Sequence, residues 1–250
     1  MKLENKVAIV TGGARDIGRA VSVKLAEEGA KVVVNYFDNK DDAEETKKMI
    51  EQVGGSCILV QGDMTKAEDV KHLVAEGVKA FGKEIHVLVN VVGGIVGRKK
   101  VVEQDEKWYN FLMDVNLKSA WLCTREVVPY MPKHSSIVNF SSLAAKDGGG
   151  PGASLYATAK GAVESFTFAM AKELGPQGIR SNALAPGTIA TSFHDRFNTP
   201  ENRERMKGVY PLRREGTAED VAQLVAFLAS EESDYITGTN IDINGGMYFS

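Results

Sequence analysis

Two residues four positions apart, Tyr156 and Lys160, have the types and spacing of a proton-transfer pair. They lie in a stretch with helical periodicity, so both side chains share one helix face and can meet. A free tyrosine has a pKa of ~10, which is too high for a general base at neutral pH. A neighbouring ammonium lowers that pKa, so the spacing predicts that Lys160 activates Tyr156. Because the same spacing is common on solvated helices, the interpretation depends on the elements that surround the pair.

Composition and charge exclude several classes of partner. The 250 residues are 43% hydrophobic and 25% charged, and the net charge of -3 provides no basic field to attract nucleic acid. No apolar run approaches the ~20 residues of a membrane span, so we expect no membrane association. Cys57 and Cys123 lie far apart and are interpreted as reduced thiols of a cytoplasmic protein. No metal site is predicted, because neither these cysteines nor the histidines have ligand spacing; the histidines are His72, His86, His134 and His194.

Short apolar runs alternate with amphipathic stretches along the whole chain. Strands are predicted at residues 6–11, 31–36, 56–61, 85–92, 135–140, 179–184 and 240–243. Helices are predicted at 17–28, 40–52, 66–81, 154–174 and 217–229, and a longer helical stretch at 103–130 breaks near 114–116. The alternation predicts one α/β domain over residues 1–250, with a doubly wound parallel sheet of about seven strands and helices on both faces.

One long segment, residues 191–214, does not fit this alternation. It is polar and rich in charge, with weak helical periodicity, and we interpret it as a substrate lid. Its large side chains are candidates for the substrate side, with core packing as the alternative; they are Phe193, Phe197, Met206 and Tyr210.

A glycine turn follows the first predicted strand. Gly12 and Gly13 end that strand, and Gly18 lies at the start of the following helix. Such a turn brings backbone N–H groups and a helix N-terminus against a pyrophosphate. The spacing departs from the general GxGxxG fingerprint, so the turn alone leaves an ordinary tight turn as the alternative.

These motifs together resemble the short-chain dehydrogenase/reductase family. TGGARDIG is similar to the TGxxxGxG of that family, and the Tyr-x-x-x-Lys pair is similar to its catalytic signature. Ser142, in IVNFSS, stands 14 residues before Tyr156, and Asn116, in DVNLKS, matches the fourth catalytic residue. The matches run in family order along the whole chain, and ITGTNIDINGG matches the C-terminal end. The nearest members resemble 3-oxoacyl-[acyl-carrier-protein] reductases, which implies a Rossmann-like fold and an NAD(P)-dependent oxidoreductase.

The resemblance also implies a set of cofactor-binding residues. Asp63 matches an acid that contacts adenine, and Asn90 matches the first asparagine of the family's NNAG segment. Pro186 and Gly187 match the turn that holds the nicotinamide amide. The complete set is Gly12, Arg15, Asp16, Ile17, Gly18, Tyr36, Asp63, Met64, Asn90, Val91, Gly93, Tyr156, Lys160, Pro186, Gly187, Ile189 and Thr191.

The mechanism implied by the resemblance is hydride transfer with a proton relay. Tyr156 gives a proton to the carbonyl oxygen on reduction, or takes one from the alcohol on oxidation. Lys160 lowers the pKa of Tyr156 and binds the nicotinamide ribose, and Ser142 hydrogen-bonds the substrate oxygen. Asn116 interrupts its helix and holds a water that links Lys160 to solvent.

Two departures from the family pattern bear on the cofactor site. Asp16 stands where the family has its second glycine, and we expect its side chain to turn away from the cleft and cap the following helix. Val91 and Val92 replace the second asparagine and the alanine of NNAG. Two β-branched residues there indicate a strand that is packed to its end.

The residues near the second strand favour NADP over NAD. Tyr36 stands where an acid would bind the ribose 2′-hydroxyl and select NAD. Arg15, in the glycine turn, matches a basic residue of NADP-using relatives, and a guanidinium pairs well with phosphate. Asp38 lies two residues beyond Tyr36 and is the residue that favours NAD instead.

Three functions therefore stay open at the level of sequence. The leading one is reduction of a ketone or a 3-oxoacyl group, with a small carbonyl or alcohol as substrate. The second is an NAD-dependent sugar, polyol or steroid-type alcohol dehydrogenase, and the third is a catalytically idle dinucleotide-binding sensor. The run Arg98, Lys99 and Lys100 either attracts an anionic substrate or an acidic acyl-carrier protein, or forms a solvated loop. The family implies a homotetramer, or a homodimer, formed through the helices after the fourth and fifth strands.

Overall fold

The computed structural model describes residues 1–191 and 199–249, in which seven parallel strands form one sheet in the order β3-β2-β1-β4-β5-β6-β7. The strands are β1 Val7–Thr11, β2 Lys31–Tyr36, β3 Ser56–Gln61, β4 Val87–Asn90, β5 Ser136–Phe140, β6 Arg180–Pro186 and β7 Asn240–Ile243. The predicted doubly wound α/β class is therefore confirmed.

The helices connect successive strands, as parallel pairing requires. They are α1 Asp16–Glu27, α2 Lys40–Gln52, α3 Ala67–Phe81, α4 Glu106–Met113, α5 Ser119–Val127, α6 Ala144–Asp147, α7 Ser154–Leu174, α8 Pro200–Lys207 and α9 Ala218–Ala229. A π-helical turn, Asp114–Lys118, joins α4 to α5 at the predicted break. In the part of the chain that the structure describes, no helix is both long and apolar enough to cross a membrane.

Apolar side chains cover both faces of the sheet, which explains the continuous apolar strands of the sequence. On one face, Val21 and Leu25 of α1 and Leu228 of α9 belong to one buried cluster. On the other face, Leu73 of α3 and Leu122 of α5 belong to a second cluster. Each fully buried leucine contributes ~1.5–3 kcal/mol of transfer free energy, so the two clusters stabilise the sheet from both sides.

The strand order creates a crevice at the carboxyl ends of β1 and β4. The chain leaves β1 toward β2 and β3, and it crosses to the other side of β1 to form β4. The loops after these two strands consequently diverge, and ligands of doubly wound sheets bind in the gap. The glycine turn after β1 and the residues after β4 and β5 all face this gap.

Three differences between the structure and the predicted elements lie near the carboxyl ends of the strands. β4 ends at Asn90, because the N–H groups of Val91 and Val92 donate to the side-chain oxygen Oγ1 of Thr11, at 3.1 and 3.4 Å, rather than to backbone carbonyls of a neighbouring strand. The prediction that the strand continues through these valines is wrong. The short helix α6 was not predicted, and β6 continues to Pro186.

The segment interpreted as a lid is described only in part. Phe193, His194 and Phe197 lie outside the described residues, and so does the side chain of Met206. The described part contains α8, although the sequence showed only weak periodicity there. The capping box predicted at Thr217 and Asp220 is present at the start of α9.

We predict that acid destabilises the protein through His86. Its Nδ1 accepts the Val7 N–H at 3.2 Å, which requires a neutral ring, and burial lowers the pKa of His86 below 6.5. Because folding lowers the pKa of His86, the neutral ring contributes its full stability at pH values above the unfolded pKa of 6.5. That stability is lost as the pH falls through the lower pKa of the folded protein. Urea unfolding between about pH 7.5 and about pH 5.5 should show a smaller loss for His86→Gln than for wild type. The exposed His72 supplies the control, and an equal loss in all three proteins would contradict the prediction.

Candidate active site

One cleft of about 990 Å³ lies at the carboxyl ends of the strands and contains most of the predicted site residues. Its lining extends from the ends of β2 and β3 to the residues after β5 and β6. The predicted residues that line it are Gly12, Arg15, Asp16, Ile17, Gly18, Tyr36, Asp63, Met64, Val91, Gly93, Ser142, Tyr156, Lys160, Pro186, Gly187, Ile189 and Thr191. Asn90 and Asn116 do not line it.

The glycine turn after β1 is packed so closely that two of its positions require glycine. Gly12 has φ +60, in the left-handed region that glycine adopts most readily. A Cβ on Gly18 would lie 2.0 Å from the Gly12 carbonyl oxygen, so only glycine lets α1 start this close to the turn. The start of α1 consequently lies against the turn and lines the cleft, and a helix N-terminus in this position favours an anion.

Asn35, near the end of β2, holds the glycine turn in place. Its Oδ1 accepts the Gly12 N–H at 3.0 Å, and its Nδ2 donates to the Gly62 carbonyl at 3.1 Å. One buried carboxamide of β2 thus joins the turns that follow β1 and β3. The sequence did not identify this role, although a polar residue inside the apolar run KVVVNY was its signal.

Tyr156 and Ser142 form the centre of the cleft. Ser142 lies in the turn after β5, and Tyr156 lies in the first turn of α7. The half-buried Tyr156 has a pKa above 10, because burial of the phenol outweighs a hydrogen bond from Ser142 that lowers the pKa. Tyr156 is consequently protonated at neutral pH in the free protein, and it can donate a proton to an oxygen bound beside Ser142.

Lys160 lies one helical turn beyond Tyr156 and is almost completely buried, with 4% of its surface exposed. Its Nζ donates to the Phe140 carbonyl at 2.7 Å, where β5 ends. Burial lowers the pKa of Lys160 to about 8, because the ammonium has lost most of its water. Gly93 lies close by, and a Cβ on it would be 2.7 Å from Lys160 Nζ, so this glycine leaves room for the ammonium.

The prediction that Lys160 lowers the pKa of Tyr156 is wrong for the free protein. The Lys160 Nζ lies 6.0 Å from the centre of the Tyr156 ring and is bound to the Phe140 carbonyl instead. Ser142 is the group that lowers the pKa of Tyr156, and burial raises it further than Ser142 lowers it. The helical spacing predicted that the two residues share a face, but it contained no information on burial.

Asn116 uses its side chain to fix the backbone beside Lys160. Its Oδ1 accepts the Gly94 N–H at 2.8 Å, and its Nδ2 donates to the Gly94 and Leu112 carbonyls, both at 3.0 Å. The π-helical turn places this buried carboxamide under the loop after β4. The predicted water between Lys160 and solvent is not tested by these contacts and stays a prediction.

Comparison with known proteins identifies the family. The family model for enoyl-(acyl carrier protein) reductase matches residues 12–248. A 3-oxoacyl-[acyl-carrier-protein] reductase of Staphylococcus epidermidis is 38% identical over 98% of this chain and 99% of its own length. The chain belongs to the short-chain dehydrogenase/reductase family. The predicted family and the predicted class of enzyme, an oxidoreductase, are confirmed.

Solved structures of short-chain dehydrogenase/reductase proteins have the same fold. A Serratia marcescens member is 31% identical, with a TM-score of 0.93 and coverage of 99% of both chains. A Burkholderia cenocepacia member, solved in complex with NADP, is 30% identical, with a TM-score of 0.92 and coverage of 99% of both chains. The agreement extends over the whole sheet and its helices.

The first departure from the short-chain dehydrogenase/reductase pattern has a backbone explanation. Asp16 has φ +50, which is the left-handed conformation that suits the glycine of the family. Aspartate tolerates this conformation better than most residues, so the substitution preserves the turn. We expected Asp16 to turn away from the cleft, but the residue is part of its lining. The helix cap is Arg15, whose side chain makes no capping hydrogen bond.

Asn90 has an internal role that the family resemblance did not indicate. Its Nδ2 donates to Asn139 Oδ1 at 2.8 Å, and Asn139 donates to Thr167 of α7 at 3.0 Å. This buried chain of hydrogen bonds joins β4 and β5 to α7, the helix that carries Tyr156 and Lys160. The structure therefore places Asn90 in the support of the site rather than in the cleft.

The substrate end of the cleft contains residues that the sequence did not single out. Thr188 lines it and accepts the Tyr210 hydroxyl at 2.6 Å, and Tyr210 is almost completely buried. Met247, three residues from the C-terminus, also lines the cleft. Other apolar lining residues are Ile95, Val96, Phe111, Val115 and Leu143. Within the described residues, no group of histidine, cysteine, aspartate and glutamate side chains has the arrangement of a metal site.

We predict that Lys160→Met stabilises the protein while it removes a site residue. The wild-type ammonium is buried with a pKa of about 8, below its ordinary 10.5, so the charged form costs free energy in the folded state. Replacing it should raise the free energy of unfolding by about 1–3 kcal/mol near pH 7, after loss of the bond to Phe140 is included.

The pH dependence gives this prediction its control. A lysine whose pKa is lowered by folding contributes its full stability at pH values above the unfolded pKa of 10.5. That contribution is lost as the pH falls through the folded pKa of about 8. The advantage of the methionine variant, measured by urea unfolding, should therefore shrink as the pH rises from about 7 toward 10.5. A variant that is less stable than wild type near neutral pH would contradict the account of Lys160.

Proposed function

We propose that the protein is an NADP-dependent reductase of ketones, and that 3-oxoacyl groups carried as thioesters on an acyl carrier are its substrate class. The meeting of Ser142, Tyr156 and Lys160 in the cleft that contains the glycine turn is the observation that carries the proposal. The similarity to a 3-oxoacyl-[acyl-carrier-protein] reductase over nearly the whole chain supports the substrate class.

The donor groups along the cleft fit a dinucleotide. The glycine turn, Gly12 to Gly18, would hold the pyrophosphate on backbone N–H groups, because the turn and the start of α1 line the cleft. Asp63 and Met64 would hold the adenine end, and Tyr36 would lie at the adenosine ribose. The residues that would hold the nicotinamide end are Val91, Gly93, Pro186, Gly187, Ile189 and Thr191. When bound, NADPH supplies a hydride to the carbonyl carbon.

The residues of this chain supply the proton and the oxygen-binding groups. Tyr156 gives its phenolic proton to the carbonyl oxygen, and its raised pKa keeps that proton available at neutral pH. Ser142 donates a hydrogen bond to the same oxygen and stabilises the negative charge that develops on it. Lys160 uses one N–H for the Phe140 carbonyl and has two more for the ribose hydroxyls.

The surroundings of the second strand favour NADP for this chain. Arg15 is exposed and lines the cleft, so its guanidinium can pair with a 2′-phosphate. Tyr36 carries no charge that repels a phosphate. The structure of a relative in complex with NADP supports the choice. Asp38 also lines the cleft, and this observation favours the second candidate, an NAD-dependent sugar, polyol or steroid-type alcohol dehydrogenase.

The substrate end fits an acyl chain. Ile95, Phe111, Leu143 and Met247 provide apolar surface beside the catalytic residues. Residues 191–214 are proposed as the lid over this surface. The described part of the lid is fixed at its base by the ion pair of Arg203 and Glu215, at 2.6 Å.

The cations near the cleft offer limited attraction for an acidic carrier. Arg98 donates to the Gly149 and Pro151 carbonyls, both at 2.9 Å, and Lys99 lies 4.6 Å from the centre of the Trp108 ring. Two of the three adjacent cations thus already have partners elsewhere in the chain. We propose that an acidic carrier protein docks against the remaining positive charge near the cleft. In the run of residues 98–100, that charge is Lys100.

We propose a homotetramer, or a homodimer, as the assembled form. Trp121 and Phe168 are exposed by 44% and 38%, and they lie on α5 and α7, which follow β4 and β5. A second copy of the chain would cover these apolar side chains. A cytoplasmic location is proposed from the two unpaired cysteines, Cys57 and Cys123.

We predict that Tyr156→Phe lowers kcat for the reduction of an acetoacetyl thioester by about 100-fold to 10,000-fold, because the proton donor is lost. The decay of NADPH absorbance measures kcat, and a fluorescence titration of NADPH measures cofactor binding. Binding should persist in the variant, since the phenylalanine ring preserves the packing. Undiminished turnover in the variant would refute the role of Tyr156, and binding without turnover on any ketone in wild type would refute the reductase.

We predict that Arg15→Ala raises KM for NADPH much more than KM for NADH. The guanidinium pairs with the 2′-phosphate, which only NADPH carries. Lys40→Ala is the matched control, since Lys40 is an exposed cation at the start of α2 outside the cleft lining. Equal effects of Arg15→Ala on the two cofactors would exclude a phosphate contact and favour the NAD-dependent alternative.

A further inference from the structure

A partly buried ion pair joins α6, beside the cleft, to β7, which is far away in sequence. The Lys146 Nζ lies 3.0 Å from Asp242 Oδ1, and the two side chains are exposed by only 11% and 17%. Lys146 is in α6, four residues after Ser142, and Asp242 is in β7. Neither residue has a part in the chemistry proposed above.

The turn that contains Ser142 is continuous with α6. Ser142 Oγ accepts the Ala144 N–H at 3.1 Å, and the Lys146 N–H donates to the Leu143 carbonyl at 2.9 Å. The Leu143 N–H in turn donates to the Pro186 carbonyl at 3.0 Å. We call residues 141–147 the serine loop. Because these bonds run from Ser142 to Lys146, a movement of α6 would move the serine.

The chain beyond β7 folds back into the cleft. Asn244 is the centre of this C-terminal segment, residues 244–248: its Nδ2 donates to the Tyr248 carbonyl at 3.1 Å, and its Oδ1 accepts the Gly246 N–H at 3.0 Å. The resulting turn places Met247 in the cleft lining. Lys146 Nζ also lies 5.8 Å from the centre of the Tyr248 ring, so the same ammonium contacts both β7 and this segment.

The C-terminal segment also contacts the base of the proposed lid. The Leu212 N–H donates to the Gly245 carbonyl at 3.2 Å, and a Cβ on Gly246 would lie 2.9 Å from Pro211. The Tyr210 hydroxyl donates to Thr188 at 2.6 Å in the turn after β6. The serine loop, the turn after β6 and the lid base therefore meet at one segment.

We propose that Lys146 is a positioning residue, and that its ion pair with Asp242 holds the serine loop against the end of β7, where the C-terminal segment begins, and so fixes the shape of the substrate end. The inference rests on the proposed function, because it concerns the pocket for the carbonyl substrate. Loss of the ammonium removes both the ion pair with Asp242 and the contact with the Tyr248 ring, so the serine loop and the C-terminal segment would rearrange relative to each other. The rearrangement would displace Ser142 and Met247 together.

A second ion pair in the chain matches this one in burial and lies elsewhere. Lys24 Nζ lies 2.9 Å from Glu28 Oε1, and the side chains are exposed by 18% and 17%. Lys24 is near the C-terminal end of α1, and neither partner lines the cleft. Lys24→Met therefore reproduces the loss of a partly buried cation without changing the substrate end.

The experiment compares Lys146→Met, Lys146→Arg and Lys24→Met by steady-state kinetics with a short and a long 3-oxoacyl thioester. We expect Lys146→Met to lower kcat/KM by about 10-fold to 100-fold, to raise KM for the thioester, and to change the ratio between the two chain lengths. The dissociation constant of NADPH should be unchanged, and Lys146→Arg should recover most of the activity. Kinetic constants of Lys146→Met that match those of Lys24→Met would overturn the proposal.

Hydrogen–deuterium exchange of the free proteins provides a readout that needs no turnover. Peptides that cover residues 141–147 and 244–249 should exchange faster in Lys146→Met than in wild type, while Lys24→Met leaves both unchanged. Unchanged exchange in Lys146→Met would overturn the coupling whatever the kinetics show. If wild type reduces no ketone, the proposed function fails, and the exchange data still decide whether Lys146 joins the two segments.

Discussion

A lysine ammonium enclosed at the end of the sheet is the constraint on which the site depends. Lys160 Nζ is held by the Phe140 carbonyl at 2.7 Å, and 4% of the residue is exposed. The neighbouring backbone is arranged around it, since Gly93 leaves room for the charge and Asn116 holds the adjacent Gly94. Such a group lowers the stability of the fold, and a protein retains one where function requires it.

The proton affinities of the free cleft follow from this burial. Tyr156 has a raised pKa and Lys160 a lowered one, so both groups are shifted toward their neutral forms. The phenol is thus a proton donor in the free protein, which suits reduction of a carbonyl. A positively charged nicotinamide ring near the phenol would favour the phenolate, which suits oxidation of an alcohol. The bound cofactor, rather than Lys160 alone, would then complete the activation that the spacing of Tyr156 and Lys160 predicts.

The sequence predicted the scaffold well because the signals there are local. Continuous apolar runs, caps such as Thr217 and glycine turns placed β2, β3, α2, α7 and β7 at their observed bounds or within one residue of them. The site was less predictable, because burial and loop contacts come from distant parts of the chain. The direction of the Tyr156 pKa depends on burial in the folded cleft, and the internal role of Asn90 and the position of Met247 depend on contacts between distant segments. The conformation of Asp16 was unpredictable for the same reason, because its left-handed backbone depends on the folded turn.

An ultraviolet difference titration of Tyr156 tests the central claim most directly. The alkaline spectrum of wild type minus that of Tyr156→Phe gives the pKa of this one phenol, first in the free protein and then with NADP⁺ at saturation. We expect a pKa above 10 in the free protein and a lower value in the complex. A pKa below 10 in the free protein, or the same value in both states, would contradict this expectation.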